Sequence, residues 1–503
     1  MNYRFGDFTV DTDGMELAQA GQPVAVQPQV FALLVLLIEN AGRVVSKDEI
    51  IDSVWQGRIV GDGTLNARIN ALRRALGDDG ARQATIKTLP RQGFRFVAAL
   101  DTGDTDTRAP PERPDASIAV LPFVNIGADP EQDYFADGLT EDLITDLSKN
   151  RALFVIARNS SLSFRNSPKT VTDIGAELGV AHVLEGSVRR AGKRVRINAQ
   201  LVDSRTGGHV WAERYDGDLE DIFDLQDEIA GKIIAALPVS LTATPAPARG
   251  TSNVAAYELM LKGRAKFYQF TPETNAECLA LLDRAVALDP TYSNAWAEQV
   301  FPYQSGFSFG WKGYDDGLQI ALEKAERAVA LDPDSSLAHC RMGWLRTIMK
   351  EPDAAIASFE RSVALDPNNA DTHIWFSDAL NFAGQPARGI EAGKIALHFD
   401  PVAPPNVFHH IAHSHYLLGK LDAAREFENR AVRIAPLFPP ARIVLAATLV
   451  ELGLVDEARD HVADLQRLDP RFTASVFLNR YPYRDGGQSQ RIANALVTAG
   501  LAP

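Results

Sequence analysis

Apolar side chains recur along this chain with two different spacings, and each spacing predicts a different element. Leu65, Ile69, Leu72 and Leu76 follow one another at steps of four, three and four residues. At 3.6 residues per turn they form one apolar stripe on a helix over 63–76. The opposite face then carries Thr64, Ala67, Asn70, Ala71 and Arg74, flanked by Asn66, Arg68 and Arg73. Ile86 and Leu89, followed by Phe94 and Phe96, read as a strand, a turn and a second strand over 85–97, with Gly93 as the permissive turn position. In that hairpin Lys87, Arg91 and Arg95 should face outward. Upstream, the nine-residue run Val30 to Ile38 stops at Glu39, and predicts a buried helix over 28–41. Ser46 and Glu49 have the spacing of a capping box that starts a helix reaching Trp55.

Beyond residue 116 the pattern changes. Strands are expected at 117–123, 153–157, 182–190, 195–203 and 209–215, with helices at 134–149, 172–178 and 225–237. This order reads as a small α/β layer. From residue 254 onward helix phrases end at Pro290, Pro333, Pro367, Pro401, Pro436 and Pro470, at intervals of 43, 34, 34, 35 and 34 residues. A period of 34 is that of the tetratricopeptide repeat. Twelve residues before each proline stands a small residue, Cys278, Ala321, Ala355, Gly389, Ala424 or Ala458, where paired helices must approach closely. The first interval holds nine extra residues around the aromatic, glycine-rich stretch 301–314, expected to bulge from the repeat surface. The last repeat gives way to an amphipathic helix over 489–498, a solubilising cap.

Charge sharpens the reading. Between Arg58 and Arg95 eight Lys and Arg face three acids, a local balance of +5, while the whole chain carries −14. Positive charge gathered onto one element of an acidic protein is the footprint of a polyanion-binding face. Amide and guanidinium side chains on the outer face of the 63–76 helix suit a DNA major groove, where they read base edges while flanking arginines hold phosphates. The candidate DNA-binding set is Thr64, Asn66, Arg68, Asn70, Arg73, Arg74, Lys87, Arg91 and Arg95.

Residues 1–98 resemble the OmpR/PhoB-type winged-helix DNA-binding domain found at the N-terminus of ToxR- and CadC-like regulators. The likeness lies in Tyr3 to Val10, Pro28 to Ala41, Val45 to Trp55, Asn66 to Leu76 and Thr88 to Phe96, in that order. It implies that 63–76 is the recognition helix, that 85–97 is the wing, and that 55–62 is a loop facing RNA polymerase. Where many members place an arginine after the Thr-hydrophobic pair of the wing, this chain has Pro90, and Arg91 one step later. Residues 117–237 resemble the TolB-like N-terminal domain through Ala119 to Phe123, Phe135 to Leu143 and Leu184 to Val188. That resemblance brings no catalytic residues. CadC-like regulators follow the DNA-binding domain with a membrane helix, whereas the corresponding stretch here, 101–115, is rich in Asp, Thr and Pro and cannot insert.

The expected architecture is a multidomain α+β protein. A winged helix-turn-helix occupies 1–100, a linker 101–116, a TolB-like α/β domain 117–237, a second linker 238–253, and an all-α tetratricopeptide solenoid with its cap 254–503. Apolar content of 46% and 23% charged residues fit a folded protein. Two cysteines, no run long enough for a bilayer and no signal-peptide pattern point to the cytoplasm. Three features tempt a chemical reading. Acids from Asp129 to Asp146 read as helix first-turn carboxylates favoured by the dipole. His409 and His413, or His410 and His413, have metal-ligand spacing. With no HExxH pattern and no cysteine nearby in sequence they read instead as a polar helix face. Cys278 reads as a packing residue. Neither a cofactor, a metal nor an enzyme is expected. The chain reads as a soluble one-component transcriptional regulator binding double-stranded promoter DNA, with a protein or peptide on its repeats, RNA polymerase as a further contact and a dimer on DNA allowed. The rival is a cytoplasmic repeat scaffold whose winged helix has become a protein-binding module.

Overall fold

In the computed structural model the described residues are 2–11, 16–19, 22–24, 26–41, 44–55, 62–78, 82–89, 93–98, 114–127, 129, 132–238 and 250–503. Arg91, Pro90, most of the 55–62 loop and the greater part of both linkers lie outside them. The chain forms two compact units, Met1–Pro111 and Glu112–Pro503.

The first unit opens with β1 (Asn2–Phe5), β2 (Phe8–Asp11), β3 (Glu16–Gln19) and β4 (Gln22–Val24), an antiparallel sheet in chain order. Helices α1 (Pro28–Glu39), α2 (Lys47–Trp55) and α3 (Asp62–Ala75) follow, then the hairpin β5 (Ile86–Leu89) and β6 (Gly93–Phe96). Pro28 starts α1 at a position where its missing N–H costs nothing. Ser46 and Glu49 make the reciprocal capping box before α2 at 2.8 and 3.2 Å. Phe5, Phe8, Val10, Leu17, the α1 run, the α3 stripe and Phe94 and Phe96 share one core. Gly93 is required by close approach: at φ 141° a Cβ there would fall 2.0 Å from the Val45 carbonyl oxygen. The Val45 and Phe94 backbones exchange hydrogen bonds of 2.8 and 2.9 Å, pinning the hairpin beside the start of α2.

The second unit begins with β7 (Ser117–Val120), β8 (Val124–Asn125), α4 (Asp133–Ser148), β9 (Phe154–Val155), α5 (Arg158–Leu162) and α6 (Val171–Leu178). The long strands β10 (His182–Ala191), β11 (Arg194–Asp203) and β12 (His209–Asp218) and helix α7 (Ile222–Ala236) complete the α/β layer. The sheet order is β12-β11-β10-β7-β9, with β8 also on β10. β7 lies parallel to β10 and β9, and β10, β11 and β12 run antiparallel.

The repeats pair α8 (Val254–Phe267) with α9 (Pro272–Leu288), then α10 (Ser293–Glu298) and α11 (Val300–Ser308) with α12 (Gly317–Leu331). Next come α13 (Ser336–Ile348) with α14 (Pro352–Leu365), and α15 (Ala370–Phe382) with α16 (Pro386–Phe399). Then α17 (Pro405–Leu417) pairs with α18 (Leu421–Ile434), and α19 (Pro439–Glu451) with α20 (Val455–Leu468). Two closing helices, α21 (Ala474–Arg480) and α22 (Gly486–Thr498), follow. The predicted stops hold: at each, the residue before the proline leaves helical geometry, as a following pyrrolidine demands. Cys278, Ala321, Ala355, Ala424 and Ala458 are buried. A Cβ on Gly389 would stand 2.7 Å from Asn381 Oδ1. Burial pushes the Cys278 thiol up to about 12, as suits a packing residue. Among the described residues no helix is long and apolar enough to cross a membrane.

Three expectations change. First, the α/β layer and the repeats are not separate bodies: Tyr257, Met260, Leu261, Cys278 and Leu282 join the core of the sheet and α4. Second, the acids at the centre of α4 are not first-turn carboxylates. Glu141 takes Arg264 at 2.8 Å and Arg158 at 3.2 Å, and Arg264 and Arg341 both reach Glu298. Asp142 accepts the Tyr257 hydroxyl. The aspartates that end the repeat helices serve the same seam, Asp366 accepting from Ser148 Oγ and Asp400 from the Ser160 backbone N–H at 2.8 Å. Third, His409, His410 and His413 do not form a solvated face. All three are buried: His409 bonds Glu428 at 2.8 Å, His413 bonds the Tyr483 hydroxyl at 2.8 Å, and His410 stands 3.5 Å from Asp378. Their partners come from neighbouring helices. Burial holds the His409 and His410 imidazoles below their usual pKa. Among the described residues no group of three or more His, Cys, Asp and Glu is placed to hold a metal ion.

Replacing Arg264 with alanine leaves Glu141 and Glu298 facing each other without their shared cation. Removing one partner of a buried ion pair costs about 3–5 kcal/mol, so urea unfolding should show a large loss of stability, or a separate early transition of the α/β layer. Unfolding indistinguishable from the native chain would mean the network is incidental.

Candidate nucleic-acid interface

Helix α3 is oriented by its stripe. Leu65, Ile69, Leu72 and Leu76 are fully or almost fully buried, which leaves Thr64, Asn66, Ala67, Asn70 and Arg74 exposed on the other side. Burying four such side chains is worth about 6–12 kcal/mol of transfer free energy, so the helix cannot roll to present another face. The small Ala67 at the centre of the exposed face allows a surface to come close, with Asn70 and Arg74 one turn apart beside it.

The flanking arginines differ from one another. Arg68 is half-buried, and its guanidinium donates to Gln29 Oε1 at 3.1 Å and Gln27 Oε1 at 2.8 Å, tying α3 to the start of α1. Arg73 is only 6% exposed. Its Nη2 donates to the Ile86 carbonyl and to Thr88 Oγ1, both at 2.8 Å. The expectation of a phosphate-holding flank at Arg73 is therefore corrected: the side chain lies under the wing because its partners sit on β5. Arg74, one residue on, points outward and makes a long 3.4 Å contact with the Asn70 carbonyl.

Asp78 carries a role that counting it against the local charge conceals. Gly77, at φ +62°, ends the helix in the left-handed conformation. The buried Asp78 carboxylate then accepts three backbone N–H groups, from Ala84 at 2.9 Å, Thr85 at 2.9 Å and Ile86 at 3.1 Å. Gln83, also at positive φ, accepts the Thr88 N–H at 2.7 Å. These bonds fold the stretch between helix and wing onto the helix end. The sequence signal was the Gly-Asp pair after the last stripe residue.

On the wing, Lys87 and Arg95 are direct cross-strand partners. Like charges opposite one another destabilise a hairpin by a few tenths of a kcal/mol or more. The pairing concentrates two cations on one face of the hairpin, Lys87 exposed and Arg95 half-buried. The structure thus brings Thr64, Asn66, Asn70 and Arg74 together on one exposed helix face, pairs Lys87 with Arg95, holds Arg68 at the edge of α1 and withdraws Arg73. Arg91 lies outside the described residues.

Comparison with known proteins identifies the segments that carry these elements. Residues 21–96 match the family "Transcriptional regulatory protein, C terminal", and residues 337–369 match a tetratricopeptide repeat. The chain is 45% identical over 251 residues to a protein of Rhizobium meliloti named putative adenylate cyclase 3, covering 49% of this chain and 43% of that one. It is 24% identical over 401 residues to the transcriptional regulator HilA of Salmonella typhi, covering 79% of this chain and 70% of that one. It is also 30% identical over 98 residues to the transcriptional activator CadC of Escherichia coli, 19% of either chain. Residues 21–96 are thus a DNA-binding domain of the OmpR/PhoB type, and with the tetratricopeptide repeats they give the chain the makeup of a DNA-binding transcriptional regulator.

Proposed function

We propose that the protein regulates transcription by laying α3 in the major groove of promoter DNA, with the wing against the adjacent backbone and the second unit as its input. The observation that carries this reading is the exposed face of α3: Asn70 and Arg74 stand one turn apart beside Ala67, on a helix whose other side is locked into the core. Asparagine and arginine make bidentate contacts to adenine and guanine edges. Thr64 and Asn66 extend that face, and Lys87, Arg95 and Arg68 supply phosphate contacts, with Arg91 nearby in sequence. Loop 55–62 is offered to RNA polymerase. The reading puts the protein with its DNA in the cytoplasm.

For the input, the match to the Rhizobium protein is longer than the first unit, so it takes in part of the second. In this reading the second unit is the sensing module. A protein or peptide on the repeats is the ligand class that such surfaces take, and the TolB-like likeness of the α/β layer belongs to the same reading. No covalent chemistry is assigned to it.

Two comparisons test the interface. With the full chain, alanine at Asn70 or Arg74 should cost about 1–3 kcal/mol on a selected operator and relax base preference there. Alanine at Arg73 should instead lower the melting temperature of the first unit, because a buried carbonyl and hydroxyl lose their donor, at about 1–3 kcal/mol. Equal losses on operator and random DNA at Asn70 and Arg74 would demote them to backbone contacts.

The wing makes a separate forecast. Alanine at Lys87 or Arg95 should weaken binding to every sequence alike and flatten the plot of log affinity against log salt by about one unit for each phosphate no longer neutralised. An unchanged salt slope would remove the wing from the interface.

A further inference from the structure

The wing carries Lys87 and Arg95 on directly paired residues, and like charges so placed push a two-stranded hairpin apart. The bonds that hold the hairpin in place therefore bear on where its cations stand. On one side β6 is tied to the chain before α2, through the paired backbones of Val45 and Phe94. On the other side β5 is tied to α3 through Arg73, whose Nη2 donates at 2.8 Å both to the Ile86 carbonyl and to Thr88 Oγ1.

The two acceptors add different things. Ile86 is fully buried, so the bond to its carbonyl lies at the root of the strand, where the core already fixes the chain. Thr88 is half-buried and stands two residues further out, about 6.6 Å along the strand. One point of attachment leaves a strand free to swing about that point, and a second point along its length removes that freedom. The Thr88 N–H is held as well, by Gln83 Oε1 at 2.7 Å. Alternation along β5 sets the Thr88 hydroxyl on the α3 side and its neighbour Lys87 on the opposite, exposed side.

We propose that Thr88 is a positioning residue for DNA binding: its hydroxyl, held by Arg73, fixes the wing against α3 so that Lys87 and Arg95 meet phosphates while α3 lies in the groove. The inference rests on the DNA-binding reading above and adds to it an uncharged residue that acts through its neighbours. Without the hydroxyl, Arg73 keeps its bond at the root of β5, and the repulsion between Lys87 and Arg95 turns the outer part of the strand away. The two phosphate contacts are then lost although both charges are still present. A hydrogen bond from Thr88 itself to a phosphate would act differently, since it neutralises no charge and releases no counterion.

The test is the salt dependence of operator binding by the full chain. Thr88→Val keeps the β-branched shape and removes no charge, yet it should flatten the plot of log affinity against log salt by about two units and weaken binding about tenfold at about 0.1 M salt. Its melting temperature should stay near that of the native chain. Thr88→Ser, which keeps the acceptor, should bind with the native slope. In the Thr88→Val chain, Lys87→Ala should cost almost nothing further, because the contact it removes is already gone. Should Thr88→Val melt early, Thr88→Ala must show the same flattening at a temperature where that chain is folded. A folded Thr88→Val chain with the native slope would overturn the proposal, and if its affinity fell all the same Thr88 would be a direct phosphate contact. Flattening by Thr88→Ser equal to that by Thr88→Val would overturn it too. A native slope in Lys87→Ala and Arg95→Ala themselves would instead defeat the underlying wing reading, so the two failures give different results.

Discussion

The seating of α3 is the constraint on which the interface depends. Leu65, Ile69, Leu72 and Leu76 are buried against α1, the opening sheet and the wing, so the same four residues that stabilise the domain also decide which side chains remain for DNA. Arg73 and Asp78 extend that constraint past the end of the helix. One holds β5 from below and the other gathers three backbone N–H groups, so helix and wing move as one piece. Preorganising two reading elements on one rigid support is what lets a few hydrogen bonds discriminate sequence instead of being spent on ordering the protein.

In the second unit the organising interaction is the seam between the α/β layer and the repeats. Glu141, Arg158, Arg264, Glu298 and Arg341 alternate in sign across it, and the helix-ending aspartates Asp366 and Asp400 accept from α4 and α5. Asp366 and Asp400 are both held above the usual carboxylate range by burial. Residues whose repeat-level role is to stop a helix therefore acquire a second role as docking points. The two parts of this unit are thus joined by direct bonds and a shared core.

Local periodicity made much of this legible. The α3 stripe, the capping box at Ser46, the two strands of the wing, the long strands around Gly192 and the spacing of the repeat prolines are all set by residues within a few positions of each other. What escaped was set by residues far apart in sequence. Arg73 read as a phosphate contact because its partners, 13 and 15 residues on, are brought back by a turn that Asp78 builds. His409, His410 and His413 read as a polar face because Asp378 and Glu428 arrive from other helices. The seam was invisible for the same reason: Glu141 and Arg264, Ser148 and Asp366, and Ser160 and Asp400 each stand more than 100 residues apart. Short elements such as α5, β8 and α21 offer too few residues for a period to show.

The central claim, that α3 reads bases and does not merely adhere to phosphate, is tested most directly by titrating the full chain on a duplex enriched from random sequence and on a scrambled duplex of equal length across a range of salt. Specific protein–DNA complexes are typically about 10³-fold or more tighter than the same protein's non-specific binding, and non-specific binding falls steeply with salt. The account predicts a preference of that order that survives at about 0.2 M salt. Equal affinities for the two duplexes at every salt concentration would contradict it.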